Sequence, residues 1–133
     1  MNNNKKTICH LTSPHPRFDT RIFHKECVSL VKLGYKVNLL VADGKGDECV
    51  NGVNIFGLKR PKGKLDRILN TTRAIYKKAL EINADVYHFH DPELILVGLK
   101  LIRYGKKVVY DVHEDLPRQR FVKKYGKMFR PVL

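Results

Sequence analysis

Short apolar runs alternate along this chain with segments whose apolar residues recur every three or four positions. After a polar start, Thr7–Thr12 (TICHLT) reads as a strand and the Pro-containing stretch Ser13–Asp19 as a loop. Thr20–Leu33 carries Phe23, Cys27, Leu30 and Val31 on one stripe, with Gly34 in the stop position, which predicts a helix. Lys36–Ala42 (KVNLLVA) predicts a second strand ending in the turn Asp43-Gly44, and Val53–Phe56, between Gly52 and Gly57, a weaker third. Leu65–Leu80 has the strongest helical pattern. Its Leu65, Ile68, Leu69, Thr72, Ile75, Tyr76, Ala79 and Leu80 recur at three and four, predicting one buried face and a basic face in solvent. Asp85–His90 (DVYHFH) is a fourth strand. Asp91-Pro92-Glu93 opens a helix running to about Tyr104, with Asp as N-cap and Pro at the first helical position. Lys107–Val112 (KVVYDV) is a fifth strand, and an amphipathic segment follows from about Pro117 to Met128.

The predicted order is β-α-β-β-α-β-α-β-α. Strands alternating with helices imply an α/β, Rossmann-like fold: a mostly parallel sheet with helices on both faces and right-handed crossovers. The chain has 133 residues, enough for one domain spanning 1–133 with its own core, and it shows no internal repeat or low-complexity linker. With 43% hydrophobic and 29% charged residues it reads as globular, not disordered. No apolar run is long enough to span a bilayer, and MNNNKK lacks the apolar core of a secretory signal. The three cysteines, Cys9, Cys27 and Cys49, form no CxxC and suggest neither a disulfide framework nor a zinc knuckle. Cys9 and Cys27 read as small core fillers. The expected compartment is the reducing cytoplasm.

The formal charge of +13 permits an anionic partner such as nucleic acid, a membrane face or a phosphorylated substrate. Leu116–Leu133 holds six basic residues and no acidic one, and Lys59–Lys78 holds eight against Asp66 alone. A solvated helix face accounts for either stretch equally well.

Ligands of open parallel sheets bind beyond the carboxyl ends of the strands. Those ends carry Thr12-Ser13-Pro14-His15-Pro16-Arg17, Asp43-Gly44-Lys45-Gly46, His88-Phe89-His90-Asp91 and His113-Glu114-Asp115, so four of the six histidines lie near one edge. Each residue also has a plain structural role open to it. His88 suits a core histidine, Asp91 and Asp19 suit helix N-caps, and Arg17 and Arg21 suit an exposed basic loop. His113, at a strand tip before an acidic step, has the weakest such role. The first loop contains no glycine and hence no GxGxxG; GxxxxGK[ST] and GxSxG are also absent. His88 and His90, two apart on a strand, share a face and with Asp91 and His113 offer imidazole and carboxylate to a metal, although the spacing is unspecific.

The segments ICHLTSPHPRFDTRIFHKEC, VNLLVADG, DVYHFHDPELILVGL and KVVYDVHED, in this order from about Thr7 to Arg118, resemble the N-terminal domain of family-4-type glycosyltransferases of GT-B architecture. The resemblance implies one of two Rossmann-like domains facing each other across a cleft. The N-terminal domain shapes the acceptor site, and the C-terminal domain binds the nucleotide of the sugar donor through a region with an E-x7-E motif. It further implies a retaining transfer without a metal or other cofactor, the nucleotide sugar being a co-substrate. His113 matches the histidine near the donor sugar, and His90 and Asp91 match a loop facing the cleft. His15, Arg17, Arg21 and Glu114 complete the expected substrate-binding set. An imidazole such as His113 can hydrogen-bond a sugar hydroxyl, and Arg17 and Arg21 beside a helix N-terminus suit phosphate or an anionic acceptor.

Many such domains carry Gly-Gly after the first strand, where this sequence has SPHPRFD, which shifts the expected role of His15 and Arg17 towards the acceptor. The chain stops at Leu133, and the expectation is a domain fragment, inactive alone, partnered by the missing nucleotide-binding domain. The expected acceptor is a cell-envelope or lipid-linked glycan. The tail from Phe121 to Arg130 fits either an interfacial helix on an anionic membrane or a surface packed on the second domain. Two other classes stand beside this reading: a metal-dependent hydrolase using His88, His90 and His113, and a basic nucleic-acid-binding module. No aromatic-platform motif supports the latter, so nucleic acid is not the expected partner.

Overall fold

Every predicted strand forms close to its predicted bounds in the computed structural model, which describes residues 5–111. With one further short strand, β3, the sheet comprises β1 (Thr7–Leu11), β2 (Lys36–Val41), β3 (Glu48–Val50), β4 (Val53–Gly57), β5 (Val86–Phe89) and β6 (Lys107–Tyr110). The sheet order is β3-β4-β2-β1-β5-β6, parallel throughout except for the β3–β4 hairpin. Three helical segments complete the fold. Helix α1 covers residues 20–32, with wide π-type turns over Thr20–Cys27 and α-helical turns over Val28–Lys32. Helix α2 covers residues 64–82, and α3 covers residues 92–103 with a 3₁₀ opening turn over Pro92–Leu94. The architecture is the α/β, Rossmann-like one expected. The segment from Pro117 to Met128 lies outside the described residues.

Period-two alternation divides the core into two layers. Cys9 and Leu11 of β1, Tyr87 and Phe89 of β5, and Val108 and Tyr110 of β6 pack with Ile75 and Ala79 of α2 and with Leu94, Val97 and Leu101 of α3. On the other face Ile8, Val37, Leu39, Val53 and Ile55 pack with Ile22, Phe23, Cys27 and Leu30 of α1. Each fully buried large apolar side chain contributes about 1.5–3 kcal/mol, so both faces are needed to hold β1 and β2 in the middle. Cys9 and Cys27 are core fillers, and burial pushes both thiols well above their usual range. Asp19 caps α1 as expected: its carboxylate accepts from the Arg21 and Ile22 N–H groups.

Two expectations need correction. The short strand β3 was not anticipated, although the Asn51-Gly52 pair signals a two-residue hairpin. Both residues have positive φ, and a Cβ at Gly52 would lie 2.7 Å from Val31 Cγ1. The start of α2 is the second. Leu65, Ile68 and Leu69 belong to the apolar repeat but are exposed, because only the Thr72–Ile82 part of the helix lies over the sheet.

The carboxyl end of α2 is fixed by one buried hydroxyl. Asn83 turns into the left-handed region at the helix end, and Tyr87 Oη donates to the Ala79 carbonyl (2.5 Å) while accepting from the Ala84 N–H (2.9 Å). Tyr87→Phe leaves both groups without this partner, and a loss of about 1–3 kcal/mol is expected. Urea unfolding of the two proteins measures it, and equal midpoints would remove the hydroxyl's role.

Candidate functional site

Strand order reverses between β1 and β5: β1 is followed by β2 on one side, whereas β5 lies on its other side. In open α/β sheets ligands bind at such a reversal, in the crevice beyond the carboxyl ends of the two strands. The loop Thr12–His15 after β1 and His90-Asp91 after β5 stand at that edge. Asp91 joins the two. Its carboxylate accepts from Thr12 Oγ1 (2.8 Å) and from the Ser13 N–H (3.3 Å), and lies 3.1 Å from His15 Nδ1. Asp91 does hold the N-cap position of α3, its carbonyl accepting from the Leu94 N–H, but its side chain makes no cap bond and turns to the β1 loop instead. The N-cap role expected for that side chain is thus replaced by a cross-loop one.

This arrangement sets the His15 tautomer. The Thr12 hydroxyl hydrogen goes to Asp91, so Thr12 Oγ1, 2.9 Å from His15 Nδ1, accepts there. Nδ1 carries the proton, and in the neutral ring Nε2 is the acceptor. His15 is 40% exposed, whereas Asp91 is buried. The result is an imidazole at the crevice mouth oriented by a buried carboxylate. Behind it Ser13 Oγ donates to Glu93, which also binds Arg67 through Nε (2.8 Å) and Nη2 (3.2 Å), holding that guanidinium firmly in its charged form. Arg67 is the member of the basic Lys59–Lys78 stretch that reaches this edge.

A second group lies on the α1 side of the same edge. His10, His88 and His90 stack their rings, with centroids 4.5 Å apart for His10–His88 and 4.7 Å for His88–His90. Glu26 of α1 lies 3.0 Å from His90 Nε2, and Asp111, just after β6, lies 3.6 Å from His88 Nε2. His10 is fully buried. Burial, then the neighbouring His88 and His90, depress its basicity well below the usual range, so it stays neutral. Sequence reasoning placed His88 and His90 here but missed His10, Glu26 and Asp111. The signal for His10 was present: parallel pairing of β1 with β5 puts His10 opposite His88. The metal-ligand set considered from sequence included Asp91, which instead faces the β1 loop.

A protein-family model described as Glycosyltransferase Family 4 matches residues 21–133. The chain belongs to this family. Comparison with curated proteins and with solved structures returned no match. Membership implies a glycosyltransferase, and the six-stranded sheet is that expected of one Rossmann-like half of a GT-B enzyme. Of the family-4 site residues expected from sequence, His15 and Asp91 lie 3.1 Å apart at this edge, whereas His90 joins the histidine stack on the α1 side. Arg21 is exposed on the first turn of α1. His113 and Glu114 lie outside the described residues.

Arg17 is directed inward. Its guanidinium donates to Asp43 through Nε (2.6 Å) and Nη2 (2.8 Å), to Glu48 through Nη1 (2.8 Å) and to the Gly46 carbonyl (2.7 Å). It thereby ties the first loop of this glycosyltransferase domain to the β2–β3 connection, beside a hollow of about 380 Å³ lined by Pro16, Phe18, Lys45 and Asp47. A Cβ at Gly57 would lie 2.5 Å from the Gly46 carbonyl and 2.6 Å from Arg17 Nη2, so glycine is required there. The hydrogen bonds from Arg17 hold the Asp43 carboxyl below its usual range despite partial burial. That stabilisation is complete above the unfolded value of about 3.9 and is lost as pH falls through the lower folded value. Arg17→Met therefore costs about 2 kcal/mol at pH 7, below the range for fully buried pairs because Glu48 is half-exposed. Between pH 5 and 3 the unaltered protein loses more stability than Arg17→Met does. Parallel losses in chemical denaturation across that range would contradict the clamp.

Proposed function

We propose that this chain is the acceptor-side domain of a retaining glycosyltransferase. It moves a sugar from a nucleotide-sugar donor to a cell-envelope or lipid-linked glycan, with a nucleotide-binding domain facing it across the cleft. The observation that carries this reading is the Asp91–Thr12–His15 arrangement at the β1/β5 reversal. A carboxylate-oriented imidazole with Nε2 as acceptor suits a sugar hydroxyl. Glycosyl transfer passes through an oxocarbenium-like state while a diphosphate departs, so the protein must position two sugars and offset leaving-group charge. In this division of labour His15, His90 and Asp91 shape the acceptor side and Arg17 holds their loop in place. Arg21 offers positive charge, and His113 with Glu114, following Asp111 in sequence, contacts the donor sugar. No metal takes part in the transfer, and the domain alone is inactive.

A peripheral contact with an anionic membrane fits the same enzyme. No helix of the described residues is long and apolar enough to cross a bilayer. Leu65 and Leu69 are nevertheless exposed at the start of α2, beside Lys59, Arg60, Lys62 and Lys64. Exposed apolar side chains preceded in sequence by basic residues suit the headgroup region, each basic residue adding about 1 kcal/mol near an anionic surface.

The test is sugar transfer by the enzyme carrying both domains. His15→Ala is expected to lower kcat/KM about tenfold or more, equivalent to ~1.4 kcal/mol of transition-state stabilisation, with little change in thermal midpoint. His113→Ala is expected to reduce turnover far more than it reduces stability. Unchanged transfer in both variants would refute the assigned roles.

A further inference from the structure

We propose that Glu26, His88, His90 and Asp111 form a binding site for a first-row divalent cation, with zinc the best fit, that fastens helix α1 to the β5–β6 edge of the sheet. One donor atom from each of the four lies within 4.8 Å of each of the others. Glu26 Oε1 lies 3.0 Å from His90 Nε2 and 4.0 Å from His88 Nε2, and His88 Nε2 lies 3.6 Å from Asp111 Oδ2. A tetrahedral ion with ligands at about 2.0–2.2 Å needs its donors about 3.3–3.5 Å apart. The four groups thus surround a common point, and side-chain rotation that shortens the longer separations by roughly 0.5–1.3 Å brings them to tetrahedral spacing.

The donor chemistry and the charge agree with this geometry. Two imidazoles and two carboxylates suit zinc, whereas magnesium and calcium take oxygen alone. The Glu26 carboxylate places a negative charge against stacked imidazoles, and a divalent cation bound there offsets it. Among the described residues, the groups within ion-pair reach of Glu26 are the imidazoles of His10, His88 and His90, with no lysine or arginine. Glu26 Oε1 and His88 Nε2, both shielded from solvent, have no hydrogen-bond partner among the described residues. The elements supplying the ligands explain the effect. Glu26 sits in the π-type turns of α1, His88 on β5 with His90 directly after it, and Asp111 directly after β6, so one ion joins three segments far apart in sequence. Such wide turns in helices occur often at functional sites. His10, stacked under His88, supports that ring from beneath.

His90 is shared with the acceptor side proposed above, so the test reads zinc binding and stability and not transfer activity. The 133-residue chain, stripped with chelator and dialysed against zinc chloride, is expected to retain about one zinc per chain by elemental analysis and to gain thermal stability. Glu26→Gln keeps the side-chain shape, and a His88→Ala/His90→Ala variant removes both imidazoles; each is expected to weaken zinc binding at least tenfold and abolish the thermal gain. His24→Ala, on the exposed side of α1, is expected to bind as the unaltered chain does. Circular dichroism of Glu26→Gln shows that the fold persists. Failure to retain zinc would overturn the proposal, as would retention unaffected by Glu26→Gln or lost in His24→Ala.

Discussion

The parallel pairing of β1 with β5 is the constraint on which the rest depends. Their register sets His10 against His88 and Leu11 against Phe89. With that register, odd-numbered residues of both strands face α2 and α3 and enter an apolar layer, while even-numbered ones face α1. A slip by one residue would exchange the faces, driving the imidazoles into the Phe89–Tyr110 layer and exposing Leu11. The reversal of strand order occurs at the same pair, so the register also determines which side chains reach the crevice.

Asp91 turns that pairing into a site. A carboxylate at the end of β5 that capped its own helix would leave the β1 loop to choose its own conformation. Instead it binds Thr12 and Ser13 of the loop after β1, and His15 is oriented as a consequence. Arg17, a few residues on, anchors the other end of the same loop to Asp43 and Glu48. A loop with no glycine is thus held at both ends by charge-assisted hydrogen bonds, which are shorter and stronger than neutral ones. This differs from a glycine-rich turn that presents bare backbone to a diphosphate, and it suits recognition by side chains.

Most of the scaffold was legible in the sequence because the two hydrophobic periods alternate cleanly. KVNLLVA and DVYHFH could only be strands in such a context, and Gly34 and Pro92 mark helix boundaries. The failures have local causes. ECV is too short and too polar to read as a strand, and only its hairpin turn betrays it. Leu65 and Leu69 satisfy the helical repeat, but periodicity reports a face and not whether anything lies against it. Arg17 looked like a ligand-binding arginine because its partners, Asp43 and Glu48, are distant in sequence. Glu26 was hidden for the same reason: a glutamate on an amphipathic helix reads as solvent-facing until the strand opposite is known to carry histidines.

Ligands are expected to enter at the β1/β5 carboxyl edge. The opposite, amino-terminal edge offers a hollow of about 360 Å³ lined by Lys6, Tyr35, Lys106 and Lys107, and it is the natural competitor. Hydrogen exchange of the two-domain enzyme, with and without donor and acceptor sugars, decides between them. Protection is predicted at residues 12–17 and 90–94, with none at the amino-terminal hollow. Protection confined to Lys6, Tyr35 and residues 105–107 would contradict the account.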